Sequence, residues 1–476
     1  MDGLECSEIR KNYIKTKTYD FRTESEFFKK EDLAILSRLE NLNVATLEDG
    51  LVEIVTDGTH YTPTYVDEGI PFLSAINVKE NCFNPTAGYK FISKEEHFQL
   101  CKRVHPKQGD ILLRKVGVGP RWACVIPTNA FDFSIFVSVA LIRSKINPYY
   151  LATYLNSKYG QLQLLRFNKG ISQPDLHLED IRKTIVPLFS NSFYGAIEDV
   201  VRKAEHSSIE SFEKADEAEK YFEQILNIER INALNSAISV KRLSESFKAM
   251  GRLDAEFYQP KYDTYLIALK QFETTRIPEE FYVFKNNGTN YAEGISDVGV
   301  IKTKQLTNSG VHTDDVESYF TNEACTKNKS TFIANNDVIF ASMGVGSLGK
   351  VSLFSYDGDR TFVTDSTLRI YRAKETARVL PEVLCIFLQS TIGQELIYRY
   401  VVGSTGIINI YDDDIAKIPI PVLDKEIQKD IADKVQESFA LRRQSKQLLE
   451  YAKQAVEMAI EQGEDAALAW LKDKVE

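Results

Sequence analysis

Two sets of side chains carry the chemistry this sequence offers. The first is Thr59, His60, Arg114, Lys115, Arg121, Trp122, Lys169, Ser172 and Gln173. The second is Asn290, Lys302, Lys304, Ser342, Ser347, Lys350, Ser404 and Thr405. Most are small polar or basic, and they fall in loops at comparable places in the two halves of the chain. Arg, Asn, Gln and Ser pair with base edges in a major groove, and Lys suits phosphates. Any one of them, taken alone, is more readily read as a solvated loop residue. As a set placed twice, they are the candidate binding face.

No catalytic constellation repeats in both halves: no Ser-His-Asp order, HExxH, Walker lysine or carboxylate pair. Asn147-Pro148-Tyr149-Tyr150 resembles the Asn/Asp-Pro-Pro-Tyr/Phe motif of amino-group DNA methyltransferases, but the second proline is missing. Its repeat partner keeps only Pro381. A helix start, with Asn as N-cap and Pro in the first turn, explains both copies. Gly344-Val-Gly346-Ser-Leu-Gly349 fits a dinucleotide fingerprint by letter. That site needs a strand before it and a helix after it. Here strand-like runs stand on both sides, Val338–Ser342 and Lys350–Phe354, and the counterpart Gly117-Val-Gly119 runs into Pro120. The reading is a tight glycine turn. Asp412-Asp413-Asp414 caps and solvates a turn. Six scattered cysteines without a CxxC pair, and six scattered histidines, argue against a zinc site and a disulfide framework, and suit a reducing compartment.

The net charge of −10 is unusual for a DNA binder. It is unevenly spread. Residues 1–190 hold 24 Lys+Arg against 23 Asp+Glu, whereas residues 191–235 hold 5 against 10. Whole-chain acidity therefore leaves room for a local basic face. A composition of 43% hydrophobic and 26% charged residues is that of a globular protein. No apolar run reaches the ~18 residues of a membrane span, and the N-terminus lacks the apolar core of a signal peptide. Cytoplasmic location is the expectation. At 476 residues the chain has room for two to four domains.

The elements that position the loops come twice. Arg22-Thr-Glu-Ser-Glu-Phe-Phe28 recurs as Arg252-Leu-Asp-Ala-Glu-Phe-Tyr258. Asp57-Gly-Thr-His60 recurs as Asn287-Gly-Thr-Asn290, and Gly69-Ile-Pro-Phe-Leu aligns with Gly299-Val-Ile-Lys-Thr. Gly109-Asp-Ile-Leu112 recurs as Asn336-Asp-Val-Ile339, Pro148–Gln161 as Pro381–Gln394, and Asp180-Ile181 with Pro187 as Asp414-Ile415 with Pro421. The shift stays between 227 and 234 residues throughout. Each copy reads as mixed α/β. Strands are expected at Gly69–Ile76, Asp110–Leu113, Ala123–Ile126 and Ile135–Ile142, all rich in β-branched and aromatic residues. A helix from Pro148 is expected to end near Tyr159-Gly160, and a short strand to reach Val186-Pro187.

Each copy is followed by a long amphipathic stretch. From Tyr194 to Asn235 the apolar residues Ile197, Val201, Ala204, Phe212, Ala215, Phe222, Ile225 and Leu226 fall at steps that keep one helix face. At 1.5 Å per residue this stretch would run roughly 60 Å. Ile427, Ile431, Val435, Phe439, Leu449, Ala452, Val456 and Ala459 repeat the pattern after Asp424. The two helices are expected to pack on each other.

This series resembles the specificity (S) subunit of type I restriction–modification systems. The residues that carry the resemblance are Asp57-Gly58-Thr59-His60 with Thr62-Pro63, Gly69-Ile70-Pro71, and Gly109-Asp110-Ile111-Leu112 followed by the Gly117/Gly119 turn. The Pro148–Gln161 helix, Gly170-Ile-Ser-Gln173, Pro187 and the long helix complete it; the second half carries the series more loosely. The resemblance implies an α+β chain of two duplicated mixed α/β target recognition domains. It places them at 1–190 and 236–423, followed by a central spacer helix at 191–235 and a C-terminal spacer helix and tail at 424–476. The helices would form an antiparallel coiled coil with pseudo-two-fold symmetry, a ruler in which ~50 Å of helix spans on the order of 15 base pairs. It further implies a non-catalytic subunit without cofactors that reads a bipartite, asymmetric double-stranded DNA target. Two adenine-N6 methyltransferase (M) subunits would supply S-adenosylmethionine chemistry, and restriction (R) subunits would use ATP and Mg²⁺. A type IIB-like specificity subunit is the nearer alternative; a tandem-repeat protein–protein scaffold is the farther one.

Overall fold

The computed structural model describes residues 1–476 apart from 1–8, 10, 12–13, 15–22, 24, 84–87, 129, 170–173, 228–239, 288–297, 315, 404–407 and 476. It divides into two compact units, residues 1–208 with 443–476, and residues 209–442. Each mixes helix and sheet.

The first unit is built on an antiparallel sheet of β1 (Val52–Asp57), β2 (Ile111–Arg114), β3 (Ala123–Val125) and β4 (Val139–Ser144), ordered β1-β4-β2-β3. Buried apolar residues fill most of β2, β3 and β4 because both faces are covered there, whereas β1 is only partly buried. Alternation along each strand splits the side chains between two cores. Ile111, Leu113, Ala140 and Ile142 face the larger one, while Leu112, Val139 and Leu141 face a smaller one with Leu73 and Ile135. The expected Ile135–Ile142 strand is therefore two elements. Ser134–Ile135 pairs in parallel with Ile70–Leu73, and the chain turns before β4.

Asn147 caps the next helix, α1 (Pro148–Asn156), its side-chain oxygen accepting from the Tyr149 and Tyr150 amides. That helix does not run on to Gly160. It stops at Ser157, whose hydroxyl donates to the Tyr154 carbonyl and caps a second helix, α2 (Lys158–Arg166). The corner is tight: a Cβ at Gly160 would lie 2.3 Å from the Tyr154 carbonyl oxygen. The apolar spacing crosses Ser157 without a break, which is why the sequence reads as one helix.

The second unit repeats the plan with β5 (Phe281–Phe284), β6 (Val338–Ala341), β7 (Val351–Leu353) and β8 (Leu368–Ala373), ordered β5-β8-β6-β7. Val298–Ile301 pairs in parallel with Thr361–Thr364. Helices α3 (Pro381–Gln389) and α4 (Thr391–Arg399) meet at Ser390 and Gly393, where a Cβ would lie 1.9 Å from the Phe387 carbonyl oxygen. Gly109 and Asn336 explain each other: both hold positive φ, +82° and +68°, which glycine and asparagine tolerate. The aspartate after each accepts from a backbone amide three residues back and takes a two-pronged arginine. These are Asp110 with Arg143 and Asp337 with Arg372, each at 2.6–2.8 Å.

Register corrects two of the letter matches. Leu73 accepts from the Phe136 amide as Ile301 does from Asp365, and Ser74 bonds Asn77 as Lys302 bonds Gln305. That shift is 228, so Gly69 does not correspond to Gly299. Sheet pairing gives the same 228 for β1 against β5, which puts Lys285, not Asn287, at the Asp57 position.

The two long helices are Asn191–Leu226 and Lys425–Gln462; positions 228–235 of the expected spacer lie outside the described residues. In the first unit Ile197, Val200, Val201 and Ala204 share a core with Leu448, Ala452, Val456 and Ala459, and the Ser445 hydroxyl donates to the Ala204 carbonyl at 2.7 Å. In the second, the Ser438 hydroxyl donates to the Ser211 carbonyl at 2.7 Å. There Lys214 meets Glu437 at 3.3 Å and Lys434 meets Glu217 at 2.9 Å, so the paired segments run antiparallel. Buried serines let the backbones approach. A last helix, Glu464–Val475, adds Ala467 and Leu471 to the first core.

Candidate nucleic-acid interface

In each unit one end of the main sheet carries a glycine turn and a second loop tied to it. In the first, the turn after β2 holds Gly117 and Gly119 at positive φ. The Gly117 amide donates to the Pro174 carbonyl at 3.0 Å, and the Leu176 amide to the Lys115 carbonyl at 3.1 Å. Lys169 and Asp175 exchange backbone bonds at 2.9 Å, closing the second loop. In the other unit the turn after β6 holds Gly344, Gly346 and Gly349 at positive φ. Gly344 donates to Ile408, Ile410 to Ser342, and Val402 exchanges bonds with Asn409, at 2.9–3.0 Å. The GxGxxG letters are thus a strand-to-strand turn with no helix after it. Ser172 and Gln173 fall between the closing residues of one loop, Ser404 and Thr405 between those of the other, and Asn290 follows β5. All five lie outside the described residues.

The first unit gathers its cations on Asp57, which is buried at the end of β1. Lys115 Nζ lies 3.0 Å from Oδ2, His60 Nε2 3.2 Å from Oδ1, and Arg103 3.2 Å from Oδ1. Arg103 also donates to the Gly58 carbonyl at 3.0 Å. Lys115 is itself buried and sits 3.7 Å from Asp175, whereas His60 and Arg103 are more than half exposed. Lys115 and Arg103 balance the two carboxylates, and the buried Asp57 holds the exposed Arg103 and His60 in shape at the rim. Thr59 is buried beside it, its amide bonded to Ile135. Sequence reasoning missed Arg103, which approaches from 46 residues downstream with no local pattern to flag it.

Arg114 and Arg121 shape the turn. Arg114 donates to the Val116 and Val118 carbonyls. Arg121 is fully buried and spends its guanidinium on Asn168 Oδ1 and the Gly117 and Pro174 carbonyls. Burial, with Arg114 adjacent, pulls its pKa down to about 10. Arg121 therefore locks turn to loop from inside the fold. Lys169 sits 3.7 Å from Asp180. The tips Val118 and Val345 are 72% and 65% exposed, a matched apolar pair that the search for polar residues passed over.

The second unit fills the same frame differently. Trp122 and Lys350 occupy one position, since their carbonyls accept from Arg114 and Ala341. Lys350 is exposed, half-buried Ser347 lies within the turn, and Ser342, at the Lys115 position, is buried with its hydroxyl donating to the Thr367 carbonyl. Lys285 and Ser342 thus replace the Asp57–Lys115 pair. Arg369 appears at the Ala140 position, buried and 2.6 Å from Asp412. Lys302 and Lys304 are placed elsewhere, with Ser318 and Glu317, at the end of the parallel strand Val298–Ile301.

Among the described residues no group of three or more His, Cys, Asp or Glu is placed to hold a metal, and no helix is long and apolar enough to cross a membrane.

Comparison with known proteins bears on this frame. Residues 269–451 match the family model described as the type I restriction modification DNA specificity domain. No curated protein matches the chain. Among solved structures, the type I restriction–modification S subunit of M. genitalium aligns at 11% identity and TM-score 0.40, over 88% of this chain and 96% of that one. The HsdS subunit of Thermoanaerobacter tengcongensis aligns at 13% and 0.26, over 88% and 97%. A chain from a study of complex assembly and conformational transition of the type I R-M system aligns at 13% and 0.28, over 89% and 98%. At these scores the architecture rests on the topology above. The match makes residues 269–451, within the second half of the chain, similar to the type I restriction modification DNA specificity domain.

Proposed function

We propose that this chain is the specificity subunit of a type I restriction–modification complex and reads a bipartite, asymmetric DNA target with its two units. The observation that carries this reading is one backbone frame built twice, with different side chains at its ligand-facing end. Asp57, Lys115, Arg103 and His60 in one unit are answered by Lys285, Ser342, Arg369 and Lys350 in the other. Equal frames with unequal donors and acceptors suit two different half-sites. The long helices would pair as an antiparallel coiled coil and fix the spacing of the half-sites. The chain would act in the cytoplasm without a cofactor of its own. Two M subunits would bring S-adenosylmethionine and methylate adenine N6, and R subunits would bring ATP and Mg²⁺. Charge on the M subunits would offset the acidity of this chain along the DNA backbone.

The test is co-expression with the neighbouring methyltransferase gene in a methylation-free host, with N6-methyladenine mapped across the genome. Methylation at two short half-sites around a fixed gap is expected. A soluble complex that leaves the genome unmethylated would overturn the reading.

A further inference from the structure

The second unit has a cationic cavity that its fold does not require. It encloses about 500 Å³ and is lined by Lys241, Lys270 and Arg276, with Asp263 and the apolar Leu266 and Pro419. Arg276 precedes the short helix Ile277–Glu280, and its Nη1 is buried without a hydrogen-bond partner. The rest of the side chain is half-buried at the cavity wall, so this cation stands there for an anion or for a structural need. The first unit shows that there is no structural need. Pairing of Val44–Thr46 with Ile185–Pro187, against Glu273–Thr275 with Ile420–Val422, sets Thr46 at the Arg276 position. Arg166 stacks on Phe27 and bonds its carbonyl as Arg399 does with Phe257, which sets Glu40 at the Lys270 position. Thr46 closes its own capping box with Asp49 at 2.7 Å, so the first unit holds its turn at this place, Leu47–Leu51 against Ile277–Glu280, without either cation.

Lys241 is paired with Asp263 at 2.5 Å, leaving Lys270 and Arg276 uncompensated within the lining. The cavity is therefore doubly positive. Guanidinium and ammonium donors around a net charge of two match a tetrahedral dianion better than a single carboxylate. We propose that this cavity is a phosphate-group site, absent from the first unit, whose ligand is either a free phosphate compound or a phosphate of the DNA backbone. Its volume exceeds that of a lone phosphate, so either source fits. The site stands on the second unit's own residues and does not depend on the DNA-reading role proposed above.

Calorimetric titration of the full chain with inorganic phosphate and with pyrophosphate, at ionic strength matched with chloride, tests it. Saturable binding is expected, weakened at least about tenfold in R276Q. R276T, which installs the residue that the first unit already carries, guards against misfolding and should behave alike. Displacement of bound phosphate by a DNA duplex would assign the site to the DNA backbone; simultaneous binding would assign it to a free phosphate compound. No saturable binding, or equal affinity in wild type, R276Q and R276T, overturns the proposal.

Discussion

The two units share a skeleton down to single hydrogen bonds and differ where ligands would meet them. The aspartate that folds the turn before the inner strand, its arginine partner, the serine-capped helix corner and the arginine stacked on an aromatic ring all occur twice. The buried Asp57–Lys115 pair and the cationic cavity around Arg276 each occur once. What recurs is what the backbone needs to close; what does not recur is free to specialise. The same logic separates structural from candidate binding residues without any bound ligand.

The comparison can be broken most severely through the chain ends. The first unit takes Leu448, Ala452, Ala455, Val456, Ala459, Ala467 and Leu471 from the C-terminal helices. Ending the chain at Arg442 removes them all. Losing this many buried apolar side chains, the larger ones at about 1.5–3 kcal/mol each, approaches the whole stability of a domain. Hydrogen exchange should show β1–β4 losing protection while β5–β8 keep theirs. Equal loss in both units would mean that they do not fold independently.

Removing a shared strut should hurt both units alike. D110A and D337A each leave an arginine without its buried carboxylate, at about 3 kcal/mol. G160A and G393A push a Cβ against a carbonyl, at roughly 1–3 kcal/mol. Urea melts followed by probes in each unit should show each change confined to its own unit, with similar size in either copy. A strut whose loss is silent in one copy would not be a strut.

Changes at the unshared end should leave stability alone and affect DNA. R103A in the first unit and K350A in the second should each relax one half-site, by about 1–3 kcal/mol for a direct base contact, in binding by the assembled complex. Equal loss at both half-sites would show a general phosphate or structural role.

The smallest effect is a pH dependence of the first unit. Glu205, on the central helix, sits beside Tyr149, and burial raises its pKa to about 7 despite Arg202. Phe439 holds the corresponding helix position in the second unit. Because the folded state holds the Glu205 proton more tightly than the unfolded chain, stability from this site is full below about pH 4.5 and falls as pH rises to about 7. The cost is on the order of 1–3 kcal/mol, and E205Q should flatten that slope in melts between these pH values. An unchanged slope would place the titration elsewhere.

Local patterns determined much of this. The Asn147-Pro148 helix start, the glycine turns, the Gly109/Asn336 exchange and the long amphipathic helices follow from spacing, capping and φ, which act within a few residues. The repeated order of such signals pointed to a plan used twice and to the resemblance it carries. Only the tertiary structure decided the rest. Ser157 ends a helix inside an unbroken apolar run because α1 and α2 pack across it. The strand register replaces letter matches at 230 with a shift of 228, because pairing partners, not nearest letters, fix equivalence. Arg121 is turned inward by Asn168 and Arg103 is drawn onto Asp57, each across more than 40 residues of chain. Charge, burial and hydrogen bonding between distant segments depend on which backbones meet, and that is settled by the closing of the core.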